Sequence, residues 1–122
     1  MSRALKTTFL VHSIVALILG LLLLLLPGRF LNLLGWAPID PLSSRLLGAA
    51  LIALSWGSFR GWQAVTRDQV KILLELEAVF TVLGSIGLLR HLLFAPYPLI
   101  AWVTFLFLAV FAIAWVAFLI KK

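Results

Sequence analysis

Residues 7–26 carry no Asp, Glu, Lys or Arg. A run of about 20 apolar residues makes a helix about 30 Å long, which is the thickness of the hydrocarbon core of a bilayer. Three further apolar stretches follow it. The chain is 64% hydrophobic and 11% charged over 122 residues, where soluble domains hold about 45–50% and about 25%. A single domain of this length has no core large enough to bury that surplus, so lipid must take it up. The pattern excludes a water-soluble globule and points to an integral, multi-pass protein of the cell membrane. With no cysteine present, disulfides, thiolate metal sites and cysteine nucleophiles are excluded.

The punctuation between runs divides the chain into a single membrane domain, 1–122, with helices expected at about 7–26, 41–65, 67–94 and 99–120. A signal peptide is the competing reading for the first run, because Arg3 and Lys6 precede it. The run is too long for that, and nothing resembling Ala-x-Ala follows. Pro27-Gly28 closes the first helix, and Phe30, Leu31, Leu33, Leu34 and Trp36 beside Arg29 and Asn32 suit an interfacial turn at about 29–36. Asp40-Pro41 reads as a helix start, the carboxylate taking orphan amide protons and proline filling the first position. Thr66-Arg67-Asp68-Gln69 reads as a capping box. Pro96 and Pro98 force the last turn. Short loops make neighbouring helices antiparallel, so the fold class is all-α, a four-helix membrane bundle with up-down neighbours.

Basic residues orient such a bundle. Arg3, Lys6, Arg60, Arg67, Lys71, Lys121 and Lys122 fall on one side and Arg29, Arg45 and Arg90 on the other, which puts both termini in the cytoplasm. Trp36, Tyr97 and Trp102 then lie toward the outer interface, and Trp62 and Trp115 toward the inner one. The net charge of +6 is thus a set of membrane anchors. It forms no basic stripe of the kind that binds nucleic acid.

Ala49, Ala53, Gly57 and Gly61 recur every four residues along the second helix. Small residues at that spacing let a neighbouring backbone come close, a common means of helix association in lipid. Trp56, Phe59 and Trp62 are expected on other faces.

An ionisable side chain within a span costs about 2.5–3.5 kcal/mol on insertion scales and is a functional candidate until a structural reason appears. His12, Glu75 and Glu77 qualify, and Arg60 joins them because its side chain can snorkel. Counted from the helix ends, all four lie in the inner half of the bilayer. Arg60 with Glu75 makes an expected ion pair, and His12 with Glu77 an expected hydrogen bond. Glu75 and Glu77 stand about 200° apart around a helix, so they do not chelate one ion together. Glu77 continues into a polar track through Thr81, Gly84 and Ser85. Glu75 has Lys71 one turn before it. His12 suits an interhelical hydrogen bond, with pigment or haem ligation the lesser alternative and no other cofactor expected. His91 reads as an interfacial residue. Arg45 has Asp40 or an anionic headgroup as its expected partner. No nucleophile, base and acid come together, and phosphate-cradling glycine loops are absent, so no enzymatic activity is expected.

The Leu-Pro-Gly that closes the first helix, the Phe-Leu-x-x-Leu-Gly segment from Phe30 to Gly35, and Arg45-Leu46-Leu47-Gly48-Ala49 together resemble the small four-helix DoxX-like bacterial inner-membrane proteins over approximately residues 14–90. The resemblance implies an accessory role in a respiratory or redox-associated membrane complex, though the cysteines of some relatives are missing here. Small multidrug-resistance transporters are similar in length and helix count, but their first-helix glutamate has no counterpart. Small fluoride channels place an asparagine within the membrane, whereas Asn32 falls in a loop.

The leading expectation is a non-enzymatic accessory or scaffolding subunit that self-associates or docks to a larger membrane complex. The alternative is a small proton-coupled transporter or carrier using Glu77 and His12. The charge bias makes the topology directly testable in a chain free of cysteine. An impermeant thiol reagent added outside is expected to label a cysteine at Ser43 and spare one at Ser2; preferential labelling at Ser2 would invert the orientation.

Overall fold

The computed structural model describes residues 1–35 and 40–121. Trp36, expected at the outer interface, and Lys122, counted among the cytoplasmic cations, fall outside them. The described residues form five α-helices: α1 (Arg3–Leu25), α2 (Pro27–Leu33), α3 (Pro41–Gln63), α4 (Lys71–Phe94) and α5 (Leu99–Ile120), with a 3-10 turn over Arg67–Val70 leading into α4. Four spans are long and apolar enough to cross a membrane: Arg3–Leu25, Pro41–Gln63, Arg67–Phe94 and Leu99–Ile120. The protein is all-α and multi-pass.

Helix ends show where local chemistry is legible. Asp40 caps α3 as expected, accepting the amides of Leu42 at 3.1 Å and Ser43 at 3.4 Å and the Ser43 hydroxyl at 2.7 Å. The Ser43 hydroxyl is the main reason the Asp40 carboxyl sits below its ordinary pKa. The cap is therefore intact above the usual carboxylate range and is lost as the pH falls through the lowered value. The helix begins earlier than expected at α1, because Ser2 accepts the Leu5 amide at 3.2 Å and Arg3 and Lys6 join the first turns. Pro27 both ends α1 and opens α2, since a residue without an N–H fits only where the helix needs no donor. The expected turn at 29–36 is thus a helix that starts two residues sooner. Gly35 follows it with φ +73°, a left-handed conformation that favours glycine. α3 stops at Gln63, with Ala64 extended. Thr66 directly precedes the 3-10 turn, and Val70, the last residue of that turn, stands at the cap position of α4 proper, because the chain enters through tighter 3-10 bonds.

The chain divides into two compact units, Met1–Arg67 and Asp68–Lys122. In the first, α1 packs along α3 and α2 touches both. Phe9 meets Gly61 and Gly20 meets Gly48, so the two long helices run antiparallel. At Gly20 and Gly48 backbone lies directly on backbone. A methyl group on Gly48 would fall 2.7 Å from both the Gly20 carbonyl oxygen and the Leu24 amide nitrogen, and one on Gly61 would fall 2.8 Å from the Phe9 ring. Hydrocarbon supplies no hydrophobic drive between helices, so this close packing has to hold them together.

In the second unit α4 packs on α5. Leu74, Glu77, Ala78, Thr81 and Leu92 of α4 are buried, as are Ala101, Ala112 and Trp115 of α5. Trp115 is wholly buried and stacks on Phe111 with ring centres 6.4 Å apart.

Gly48→Ala is expected to destabilise the protein by about 1–3 kcal/mol through overpacking. Gly28, whose added methyl would meet nothing within 4 Å, is expected to accept alanine without loss. Unfolding of the two variants by a denaturing detergent checks this, and equal behaviour would show that the close approach is unimportant.

Candidate functional site

The polar residues of α1 fall on its buried row. Leu5, Phe9, His12, Ala16, Gly20 and Leu23 follow one another at three or four residues, with Ser13 beside them, the spacing of one helix face. The facing row of α3 is Gly48, Ser55, Ser58 and Gly61. Antiparallel pairing sets His12 against Ser58, with Nδ1 to Oγ 2.8 Å, and Ser13 against Ser55, with Oγ to Oγ 3.4 Å. The Ser55 hydroxyl also donates to the Ser13 carbonyl at 2.6 Å. His12 is buried, and Ser58 completely so. The imidazole nitrogen facing Ser58 either donates to the hydroxyl or accepts its proton, according to tautomer. Ser13, Ser55 and Ser58 were not singled out by the sequence reading. Their signal was available in the spacing of Ser55 and Ser58 on the row that continues to Gly61.

The packing row expected at Ala49, Ala53, Gly57 and Gly61 is displaced. Gly61 is buried against Phe9, Gly57 is half-buried, and Ala49 and Ala53 are exposed. A step of four residues turns the row by about 40°, so Ala49 and Gly61 stand about 120° apart around the helix.

Glu77 and Thr81 are each 1% exposed on α4. The Thr81 hydroxyl donates to the Glu77 carbonyl at 2.7 Å, and the Ser85 hydroxyl to the Thr81 carbonyl at 2.7 Å. Both protons are thereby committed to the helix backbone, which leaves the hydroxyl lone pairs as acceptors along this face. Gly84, on the same track, faces Leu108 of α5 at ordinary contact distance. Glu75 is exposed, on the other side of α4 from Glu77, and Lys71 is exposed as well. Arg60 and His91 are exposed too.

The outer pair expected between Asp40 and Arg45 is not formed. Asp40 spends its oxygens on Ser43 and the first amides of α3, and the Arg45 guanidinium donates to the Leu24 carbonyl at 3.2 Å. That carbonyl lies in the last turn of α1, where Pro27 interrupts the helix and a cation is a favourable cap.

Among the described residues no three of His, Cys, Asp and Glu gather into a metal-binding group. Compared with protein-family models, curated proteins and solved structures, the chain matches none. His12 with its serines lies in the first unit, and Glu77 with its hydroxyl track lies in the second.

Ser58→Ala is expected to cost about 1–3 kcal/mol, since a buried histidine nitrogen loses its partner. Combined with His12→Leu, the loss should be smaller than the sum of the single losses. Strict additivity in detergent unfolding would show that the two side chains do not interact.

Proposed function

We propose that this chain is a small proton-coupled carrier, working as a four-helix membrane bundle of antiparallel neighbours with both termini cytoplasmic. Glu77 is its proton-exchanging group and His12 the second one. The observation that carries this reading is the position of Glu77. It is a carboxylic acid with 1% exposure within a span long and apolar enough to cross a bilayer. Ionisable residues placed there are costly and characteristically mark proton or substrate pathways.

The reading gives the neighbouring groups separate tasks. Thr81 and Ser85, with their protons turned to the backbone, offer acceptors to a proton donor or a cation moving along α4. His12 carries a ring nitrogen hydrogen-bonded to Ser58, so a change in its proton is felt by the α1 and α3 pairing. Charging a buried group without compensation is expensive. Proton exchange is thereby tied to binding or to a change of packing, which is what coupling requires. Glu75, exposed on α4, has no part in it.

Proteoliposomes with an internal pH dye and an imposed pH gradient test the proposal. The wild-type protein should dissipate the gradient faster than empty vesicles. Glu77→Gln should fold and lose that activity, Glu77→Leu should also weaken the bundle, and Glu75→Gln should keep the wild-type rate. Wild-type flux no faster than empty vesicles, or unchanged flux in Glu77→Gln, would remove the carrier and favour an accessory subunit of a larger membrane complex.

A further inference from the structure

Two glycines of α4 have no close approach to account for them within their own unit. In the first unit the long helices use glycine for contact: a methyl on Gly20 would fall 2.8 Å from the Gly48 carbonyl oxygen, and one on Gly61 would strike the Phe9 ring. In the second unit a methyl on Gly84 would rest 3.6 Å from the tip of the Leu108 side chain, an ordinary contact, and one on Gly87 would meet nothing of that unit within 4 Å. Glycine is a poor helix former beside alanine. Here two stand one turn apart in the interior of a helix of 24 residues.

The same turns carry hydroxyls that load the helix backbone. Thr81 donates to the Glu77 carbonyl at 2.7 Å and lies 3.3 Å from that of Ala78, and Ser85 donates to the Thr81 carbonyl at 2.7 Å. In an α-helix the Glu77 and Thr81 carbonyls also accept the amides of Thr81 and Ser85, so each oxygen is shared between two donors, an arrangement that bends helices. Gly84 and Ser85 are adjacent, and a glycine-serine pair is one of the few causes of a sharp kink. The neighbours differ. In α3 the serines bond across to α1, and α5 has a single back-bond, from Thr104 to the Ile100 carbonyl at 2.9 Å, with no glycine anywhere in the helix. Only the flexible end of Leu108 covers Gly84 from the α5 side, and it can turn aside.

We propose that α4 carries a hinge over residues 81–87, at which the half bearing Glu77 bends against the half from Leu88 to Phe94. The hinge rests on the carrier reading for its purpose: bending is the change of packing through which the carrier turns over. Movements of that kind are absorbed by a few residues, often small ones.

Paired nitroxide labels read the hinge in the full chain, which has no cysteine of its own. Ile72→Cys with His91→Cys brackets it along α4, and Leu46→Cys with Gln63→Cys gives a span of similar length along α3. Electron–electron double resonance on the reconstituted protein is expected to give a broader distance distribution along α4 than along α3. Gly84→Ala with Gly87→Ala should narrow the α4 distribution to the width seen along α3, with resistance to detergent unfolding kept or raised. The same pair of alanines in the unlabelled chain should remove most of the proton flux into vesicles. Equal widths along the two helices would overturn the hinge, and so would a loss of stability on alanine substitution, since the glycines would then be packing positions. Wild-type flux in a chain whose α4 has been stiffened would overturn its part in transport. Absence of flux in the wild type would remove the carrier reading, whereas the label widths decide the hinge by themselves.

Discussion

A polar side chain buried in a bilayer has to find its hydrogen bond inside the protein, because hydrocarbon offers none. In the first unit this requirement is met by setting α1 against α3 in a single antiparallel register. His12 reaches Ser58, and Ser55 reaches both the hydroxyl and the carbonyl of Ser13. Sliding one helix by a turn would separate these groups at a cost of several kcal/mol for each group left unpaired. The polar contacts therefore select the register more than they add raw affinity, which in membranes is modest for each bond.

Close packing enforces the same register from both sides of the polar ladder. Toward one end Gly48 and Gly20 bring backbone onto backbone, and toward the other Gly61 receives the Phe9 ring. Each contact has space for a hydrogen and none for a methyl. A shifted pairing would drive side chains into the facing backbone while stranding His12. The least apolar of the four spans, α3, thus combines the glycines and serines that hold it to α1 with the exposed Trp56 and Arg60 that face its surroundings.

The bilayer-spanning lengths were legible because long apolar runs have no other stable use, and the ends at Asp40, Phe94 and Leu99 were legible because Pro41, Pro96 and Pro98 allow few conformations. Ser2 was harder to read: Arg3 and Lys6 look like a flank, yet a single hydroxyl on the Leu5 amide carries the helix back to them. The expected packing row failed for a geometric reason. Equal steps of four drift around a helix, so Ala49 and Ala53 turn outward while Gly61 remains buried. Glu77 and Glu75 separated into buried and exposed faces as their spacing requires. Asp40 and Arg45 were matched by charge alone, whereas both were drawn to nearer backbone groups at helix ends. Tertiary partners such as Ser58 depend on which faces meet, and one helix's periodicity does not contain that information.

The carrier proposal stands on Glu77 exchanging its proton while buried among the hydroxyl-bearing turns of α4. Infrared difference spectroscopy of the reconstituted protein observes this group directly, with spectra of Glu77→Gln subtracted to remove Asp40, Asp68 and Glu75. The account predicts a protonated-carboxyl band belonging to Glu77 that gives way to a carboxylate band as the pH is raised, while the protein remains folded. A Glu77 signal that stays the same across the whole folded pH range would contradict it and leave the residue a fixed part of the packing.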